Sequence, residues 1–140
     1  MKLRLASIIM LLFIMFGCKK DKDDATDFLT SKTWKMGIRD KNPSSRPPGL
    51  FTYHSVPTCI QDDIYHFKKD GVLEITRNGE KCDEAELSKV VLSYSYNREN
   101  GELIIDGVKY VIFEHSAQQI KYYGVLPHAT GYDYNVYMLQ

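Results

Sequence analysis

The sequence predicts an all-β fold, an eight-stranded antiparallel up-and-down barrel, and three observations support this. Apolar side chains between residues 33 and 140 recur with a period of two, which is typical of strands that bury one face. Turn residues interrupt this alternation at short intervals, as hairpin connections require. Only residues 26–31 carry a pattern that suits the start of a helix. Closing such a sheet into a barrel hides its apolar face and removes its edges.

The first predicted strand is followed by a long irregular stretch. Residues 42–49 contain three prolines, two serines and a glycine, so they form a loop. Residues 50–56 are predicted to be an irregular covering segment, because their apolar residues do not alternate cleanly and Pro57 ends the segment. The first strand spans residues 33–38, with an inward face of Trp34, Met36 and Ile38.

Seven further strands follow, most of them joined by short turns. Residues 64–68 and 72–77 form a hairpin across Lys69-Asp70-Gly71, where the glycine adopts a turn conformation that other residues resist. Residues 98–101 and Gly107 supply two later turns. The remaining predicted strands are 90–97, 102–106, 108–114, 119–125 and 133–139.

The start of the chain has the pattern of an export signal. Lys2 and Arg4 precede an apolar stretch at residues 5–16, and Gly17-Cys18 follows it. A membrane-spanning helix needs about 20 apolar residues, whereas the apolar part of a signal peptide needs only about 7 to 15. Residues 1–17 are therefore predicted to be a lipoprotein signal peptide that is absent from the mature protein.

Cys18 is the predicted lipidation site. Residues 14–18 resemble a lipobox, in which a small residue precedes a cysteine that is acylated and becomes the new N-terminus. Residues 18–27 then form a lipidated cysteine and a charged tether, so the predicted partner is a membrane reached through the lipid anchor. The alternative is an ordinary secreted protein with a free cysteine. Acyl chains contribute about 0.8 kcal/mol per buried methylene, so several chains anchor a small domain firmly.

The charged run after Cys18 has two interpretations. It is either a solvated spacer or an export address, because it resembles the short signal that sends some lipoproteins of Gram-negative bacteria to the outer face of the outer membrane. The predicted location is the cell envelope, with the domain anchored in the outer membrane and facing either the periplasm or the exterior.

Charge and motif content exclude several classes of function. Removing residues 1–17 takes two of the 18 basic residues, and the 18 acidic residues then give a net charge of −2. The sequence has no basic patch interleaved with aromatic residues, which binding of a nucleic acid would require. The sequence also lacks a Gly-x-Ser-x-Gly elbow, a phosphate-binding glycine loop and a His-Glu-x-x-His helix. It predicts a protein that is not an enzyme and has neither a cofactor nor a metal site, since its four histidines lack paired spacing.

Cys59 and Cys82 are predicted to form a disulfide. They are the two cysteines left inside the exported domain, and an oxidising compartment permits them to pair. A zinc site is a weaker interpretation, because neither cysteine has a second Cys or His two to four residues away.

Four stretches in fixed order resemble one family. These stretches are Leu29 to Lys35, Cys59 through Asp62-Asp63 to Tyr65 and Phe67, Lys69-Asp70-Gly71, and Gly79 to Asp83. With them the chain resembles, over residues 28–140, the lipocalin-like domain lipoproteins of Gram-negative bacteria, and this resemblance implies a lipocalin-like barrel at residues 28–140.

Two functions fit a barrel of this size, because an eight-stranded interior either is filled by side chains or holds one small ligand. The first hypothesis is binding of a small apolar or amphipathic ligand. The second is a structural or interaction protein with a solid barrel, whose loops at residues 40–57 and 126–132 bind an envelope protein. By alternation, the candidate ligand-binding residues are Trp34, Met36, Tyr65, Phe67, Leu73, Ile75, Tyr94, Tyr96, Tyr110, Ile112, Tyr122, Tyr134 and Val136.

Overall fold

A computed structural model describes residues 27–140, which form an all-β fold with little helix. The predicted signal peptide at residues 1–17, Cys18 and the tether to residue 26 lie outside the described residues. The elements are α1 (Asp27–Thr30), β1 (Phe51–Tyr53), the 3-10 helix η1 (Thr58–Ile60), β2 (Ile64–Phe67), β3 (Val72–Thr76), β4 (Lys89–Asn97), β5 (Glu102–Ile105), β6 (Val108–His115), β7 (Ile120–Val125), the 3-10 helix η2 (His128–Thr130) and β8 (Tyr134–Leu139).

All eight strands belong to one sheet in the order β1-β8-β7-β6-β5-β4-β3-β2. From β2 to β8, each strand pairs antiparallel with the next one in the chain, as the alternating pattern predicted. The turn between β5 and β6 has positive φ at both of its residues, 48° at Asp106 and 80° at Gly107. That conformation matches the right-handed twist of a two-residue hairpin, and glycine adopts it without strain.

The covering segment at residues 50–56 departs from its prediction, because it contains a strand. Phe51 pairs with Tyr134 and Tyr53 pairs with Val136, and β1 runs parallel to β8. The prediction of a purely antiparallel sheet is therefore wrong at this one pair. The physical reason is the free edge of β8, whose backbone N–H and C=O groups need partners. A long connection lies between β1 and β8, which is what parallel pairing requires.

The first predicted strand, residues 33–38, is not a regular strand but makes two isolated bridges. Trp34 pairs with Tyr65 of β2, and its N–H donates to the Tyr65 carbonyl at 2.8 Å. Met36 pairs with Leu139 of β8. The segment thus divides its backbone hydrogen bonds between the two ends of the sheet, and neither partner receives enough of them to make a continuous ladder.

Ile38 was predicted to follow Trp34 and Met36 on the inward face, and this is wrong. Its side chain is 69% exposed. The preceding residue, Gly37, donates its N–H to the Met138 carbonyl at 2.8 Å, and a Cβ there would lie 2.6 Å from the Gln140 side chain. The chain bends directly after Gly37, so alternation does not continue to Ile38.

One end of the inner face is densely packed against α1. Phe28 stacks on His115 with ring centroids 4.1 Å apart and meets Tyr96 edge-on at 5.3 Å. The Trp34 indole N–H donates to the Leu29 carbonyl at 2.9 Å. Side chains that are at most 1% exposed surround these contacts, namely Leu29, Trp34, Phe67, Leu73, Leu103, Ile120 and Leu139.

A buried ion-pair network fixes the loop before β1 to the outer face of the sheet. Lys121 of β7 is fully buried, and its Nζ lies 3.1 Å from Asp40 Oδ2 and 2.9 Å from Glu114 Oε2. The same ammonium donates to the carbonyl oxygens of Asn42 and Ser45, each at 2.7 Å. All three ammonium hydrogens are therefore directed at loop or neighbouring-strand oxygens, which is how a charge is accommodated away from water.

Cys59 and Cys82 form a disulfide, as predicted, with Cα atoms 5.3 Å apart. It joins η1 to the loop between β3 and β4 across a sequence separation of 23. Beside it, the buried carboxylate of Asp63 forms an ion pair with Arg77 and accepts the Asn78 N–H at 3.2 Å. The disulfide and the ion pair hold the same two chain segments together.

Replacing both cysteines, as Cys59→Ser with Cys82→Ser, is expected to lower the free energy of unfolding by about 3 kcal/mol. The chain-entropy estimate for a loop of this length gives that value, since the cross-link restricts the unfolded chain. Urea denaturation of the variant and the wild type measures it. The reduced wild type serves as the control and should match the variant; a loss below about 1 kcal/mol would contradict the expectation.

Among residues 27–140, no helix has the length and apolarity needed to cross a membrane.

Candidate functional site

Three tyrosines make ring contacts with one another on the inner face, and a fourth, Tyr65 of β2, also packs against the core. This tyrosine cluster consists of Tyr65, Tyr110, Tyr122 and Tyr137. Tyr122 and Tyr137 are directly opposed on β7 and β8, and their rings stack with centroids 5.2 Å apart. Tyr110 of β6 meets both rings edge-on, at 5.3 Å and 5.6 Å. Such edge-to-face contacts suit the charge distribution of aromatic rings and hold the phenols in fixed positions.

The hydroxyls of the tyrosine cluster are largely unused by the protein. Within the described residues, no hydrogen bond involves the hydroxyls of Tyr65, Tyr110 or Tyr122, whereas the Tyr137 hydroxyl accepts one from the Asn135 amide at 3.2 Å. In the same part of the chain, the only side-chain polar atom that is sealed from solvent without a partner is Nε of Arg77. The hydroxyls of Tyr65, Tyr110 and Tyr122 therefore have no protein partner within the described residues.

The end of the covering segment, just after β1, reaches the inner face beside the tyrosine cluster. The His54 ring stacks on Tyr137 with centroids 4.5 Å apart, and its Nδ1 lies 3.4 Å from the Asn135 amide nitrogen. The His54 N–H donates to the Val136 carbonyl at 2.7 Å, which continues the pairing of β1 with β8. Val56 then packs against the core. The segment brings one imidazole and one apolar side chain to the tyrosine cluster.

Burial keeps the ionisable groups of this site uncharged near neutral pH. It raises the pKa of Tyr122, and the groups that add to this effect are the phenols of Tyr65, Tyr110 and Tyr137. Burial likewise raises the pKa of Tyr110 and lowers the pKa of His54 below its ordinary value. The phenols therefore stay protonated and the imidazole stays neutral, so each can donate or accept a hydrogen bond.

Eleven of the thirteen predicted site residues lie on the inner face, in the buried core or packed against it. Only Tyr65, Tyr110 and Tyr122 of these belong to the tyrosine cluster. Most of the others fill the interior; Trp34, Phe67 and Leu73, for example, are each 1% exposed. Alternation identified the inner face but did not separate the residues of the tyrosine cluster from the rest of the core. The eleven are Trp34, Met36, Tyr65, Phe67, Leu73, Ile75, Tyr94, Tyr96, Tyr110, Ile112 and Tyr122.

The predicted inward direction of Tyr134 and Val136 is wrong. Val136 pairs with Tyr123, and Tyr134 pairs with Val125, which places both on the face opposite Tyr122. The Tyr123 and Tyr134 rings contact each other there, with centroids 4.4 Å apart. Apolar residues occur in both phases of β8, because loop residues also bury part of its outer face. A period of two cannot distinguish the faces of such a strand.

The structure adds three residues that alternation did not select, namely His54, Asn135 and Tyr137. Asn135 and Tyr137 lie on the inner face of β8, the face that alternation did not select. His54 reaches the site only because β1 pairs with β8, and no local pattern in residues 50–56 indicates that pairing.

The two loops considered for a protein partner meet at Asp133. Its carboxylate accepts the Leu50 N–H at 2.9 Å, and its carbonyl accepts the Leu126 N–H at 2.9 Å. Leu50 is 68% exposed and Tyr132 is 45% exposed, so this junction presents apolar surface to solvent.

Within residues 27–140, no group of three or more His, Cys, Asp or Glu side chains is placed to hold a metal ion. Comparison of the chain with protein-family models, with curated proteins and with solved structures finds no match.

Proposed function

We propose that the protein binds a small apolar or amphipathic ligand inside a lipocalin-like barrel that a lipid anchor holds at the outer membrane. The observation that carries the proposal is the set of unpaired hydroxyls of Tyr65, Tyr110 and Tyr122 on the inner face, near His54 and Val56. A binding site is expected to be a mostly apolar concavity with a few convergent polar groups, and this arrangement has that composition. Binding rather than catalysis is proposed, since no nucleophile and base are brought together here.

Closure of the sheet into a barrel is part of the proposal, and two contacts support it. Trp34 and Met36 bridge to β2 and β8, the strands near the opposite ends of the sheet. The Tyr65 phenol of β2 also adds to the raised pKa of Tyr122 in β7, although these strands are not neighbours in the sheet. A strongly curled sheet is needed for one short segment to bridge both β2 and β8. Membership of the lipocalin-like lipoprotein family is likewise proposed, on the ordered motifs in the sequence.

Native mass spectrometry of the exported chain tests ligand binding. The Cys18→Ala variant avoids detergent, and an organic extract of the same preparation is analysed beside it. We expect a reproducible added mass that disappears on extraction. An apo mass in every preparation, together with no uptake from an added envelope-lipid extract, would contradict the proposal.

Cys18→Ala itself is expected to move the protein from the membrane fraction to the soluble periplasmic fraction almost completely. The acyl chains are attached to this residue in the proposed anchor, and without them nothing in residues 27–140 offers a helical span. Immunoblots of separated fractions measure the change. Lys19→Ala is the matched control and should stay with the membranes; membrane retention of Cys18→Ala would rule out the anchor.

A second candidate function is binding of an envelope protein through the loop junction at Asp133. The exposed side chains of Leu50 and Tyr132 favour it, because apolar side chains on ordered loops are common in protein interfaces. Leu50→Ser with Tyr132→Ser would then abolish cross-linking to a specific envelope protein and leave any ligand mass unchanged.

A further inference from the structure

The proposed ligand site offers hydrogen bonds but no formal charge. Its polar groups are the hydroxyls of the tyrosine cluster, the Asn135 amide and the His54 imidazole. The rings in contact with the buried Tyr122 ring are those of Tyr110 and Tyr137, and neither of them is an ion.

The charged side chains nearest to the site are already paired with one another. Asp63 and Arg77 influence Tyr65 with opposite effects, but they form an ion pair in which Asp63 is fully buried. Lys121 follows Ile120 and precedes Tyr122 in β7, so it points to the opposite face, where Asp40 and Glu114 contact it. The Lys121 network, with its one ammonium and two carboxylates, therefore lies on the outer face, and the Asp63 carboxylate is held by Arg77.

Moving an ion from water into such surroundings is strongly unfavourable unless an opposite charge compensates it. Phenol hydroxyls can still satisfy an uncharged oxygen, because each donates one hydrogen bond. The half-buried side chains of Val56, Val90 and Ile105 are apolar and pack at the edge of the core. They can contact a hydrocarbon portion while the oxygen lies deeper, near Tyr122, whose side chain is only 6% exposed.

We propose that the site selects uncharged amphipathic molecules, such as alcohols, esters or amides, and places their oxygen at the hydroxyls of Tyr65, Tyr110 and Tyr122. The hydrocarbon portion then lies against Val56, Val90 and Ile105. This inference rests on the proposed ligand-binding function and specifies its ligand class.

Isothermal titration with three probes of equal chain length tests the selectivity. The probes are decan-1-ol, decanoate and decyltrimethylammonium, each below its aggregation limit at pH 7.5, added to the full chain carrying Cys18→Ala. We expect decan-1-ol to bind at least tenfold more tightly than either ion. Equal or tighter binding of an ion would overturn the selectivity and leave ligand binding intact. Failure of all three to bind, with no native added mass, would overturn both proposals.

Tyr122→Phe tests where the oxygen lies. This variant keeps the ring and removes one hydroxyl, so decan-1-ol should bind about three- to tenfold more weakly, as expected for one lost hydrogen bond. Binding of the two ions should change less than about twofold. Tyr123→Phe is the matched control, because Tyr123 lies on the outer face and its loss of a hydroxyl should change nothing. Unchanged decan-1-ol binding by Tyr122→Phe, or an equal loss in Tyr123→Phe, would overturn the assignment.

Discussion

Lys121→Ala is expected to lower the free energy of unfolding by about 3 to 5 kcal/mol, the usual result of breaking a buried ion pair from one side. The Lys121 side chain is 1% exposed, and its removal leaves the carboxylates of Asp40 and Glu114 without their cation. The carbonyls of Asn42 and Ser45 lose their donor as well. Urea denaturation measures the loss.

The network around Lys121 also predicts which variants restore or preserve stability. Combining Lys121→Met with Asp40→Asn and Glu114→Gln removes all three charges and should recover much of the loss, because no buried ion is then left unpaired. Lys109→Ala is the control. Its ion pair with Glu102 is on the surface, with the Lys109 side chain 72% exposed, so stability should change by less than about 0.5 kcal/mol. A Lys121→Ala variant as stable as this control would contradict the network's role.

The stability difference between wild type and Lys121→Met is expected to shrink below about pH 4. Burial alone would raise the pKa of Asp40 and Glu114, but hydrogen bonds outweigh it and lower both values. The Tyr53 hydroxyl and the Asn42 N–H contribute most at Asp40, and Lys121 and Gln119 donate to both carboxylates. A carboxyl whose pKa is lower in the folded state stabilises the protein at a pH above its unfolded-state pKa. This stabilisation is lost as the pH falls through its folded-state pKa. In Lys121→Met, protonation of Asp40 and Glu114 instead removes two buried negative charges that have lost their cation. A constant difference from pH 7 to pH 3 would contradict this account.

Trp34→Ala is expected to destabilise the fold by about 3 to 5 kcal/mol, the range for truncating a buried large aromatic side chain. The Trp34 side chain is 1% exposed and its indole N–H satisfies the Leu29 carbonyl, which holds α1 over the packed end of the core. The variant leaves a cavity and an unpaired carbonyl together. Thermal and urea unfolding measure the effect, and a loss under about 1 kcal/mol would contradict it.

Hydrogen exchange distinguishes the role of the buried Trp34 ring from that of the Trp34 backbone, which bridges to Tyr65. The backbone N–H groups of Trp34 and Tyr65 exchange hydrogen bonds with each other's carbonyls at 2.8 Å, and this bridge links the N-terminal segment to β2. We expect faster exchange at Tyr65 in Trp34→Ala than in the wild type. Trp34→Phe, which keeps most of the ring contacts, is the control and should protect this amide better than alanine does. Equal protection in all three proteins would show that the bridge does not depend on the ring.

Local patterns predicted most of the sheet but failed where the chain exchanges hydrogen bonds with distant strands. The hairpin strands from β2 to β7 agree with their predicted ranges to within one or two residues, because their pairing partners are close in sequence and all but one of their connections carry glycine. The prediction for residues 33–38 failed because their backbone bridges to both β2 and β8. The prediction for residues 50–56 failed because part of this segment pairs as a parallel strand with the edge of β8, far along the chain.

The candidate site was predicted only in part, for a related reason. Tyr65, Tyr110 and Tyr122 alternate in step with the core residues Phe67, Ile112 and Ile120 of their strands, so alternation placed them inward. Tyr137 was missed because β8 is buried on both faces, and alternation carries no information there. Sequence patterns also could not distinguish tyrosines that fill the core from tyrosines whose hydroxyls are free, since that difference depends on neighbours from other strands.

By itself the sequence determined the all-β class, the hairpin strands, the turns and the pairing of Cys59 with Cys82, because these follow from short-range periodicity, turn geometry and the cysteine count. The tertiary structure decided the parallel position of β1, the phase of β8, the burial of Lys121 and the gathering of His54 with the tyrosine cluster. Each of these depends on contacts between residues many tens of positions apart, such as Lys121 with Asp40. The free energy of such contacts comes from burial and complementary partners, which no local stretch of sequence records.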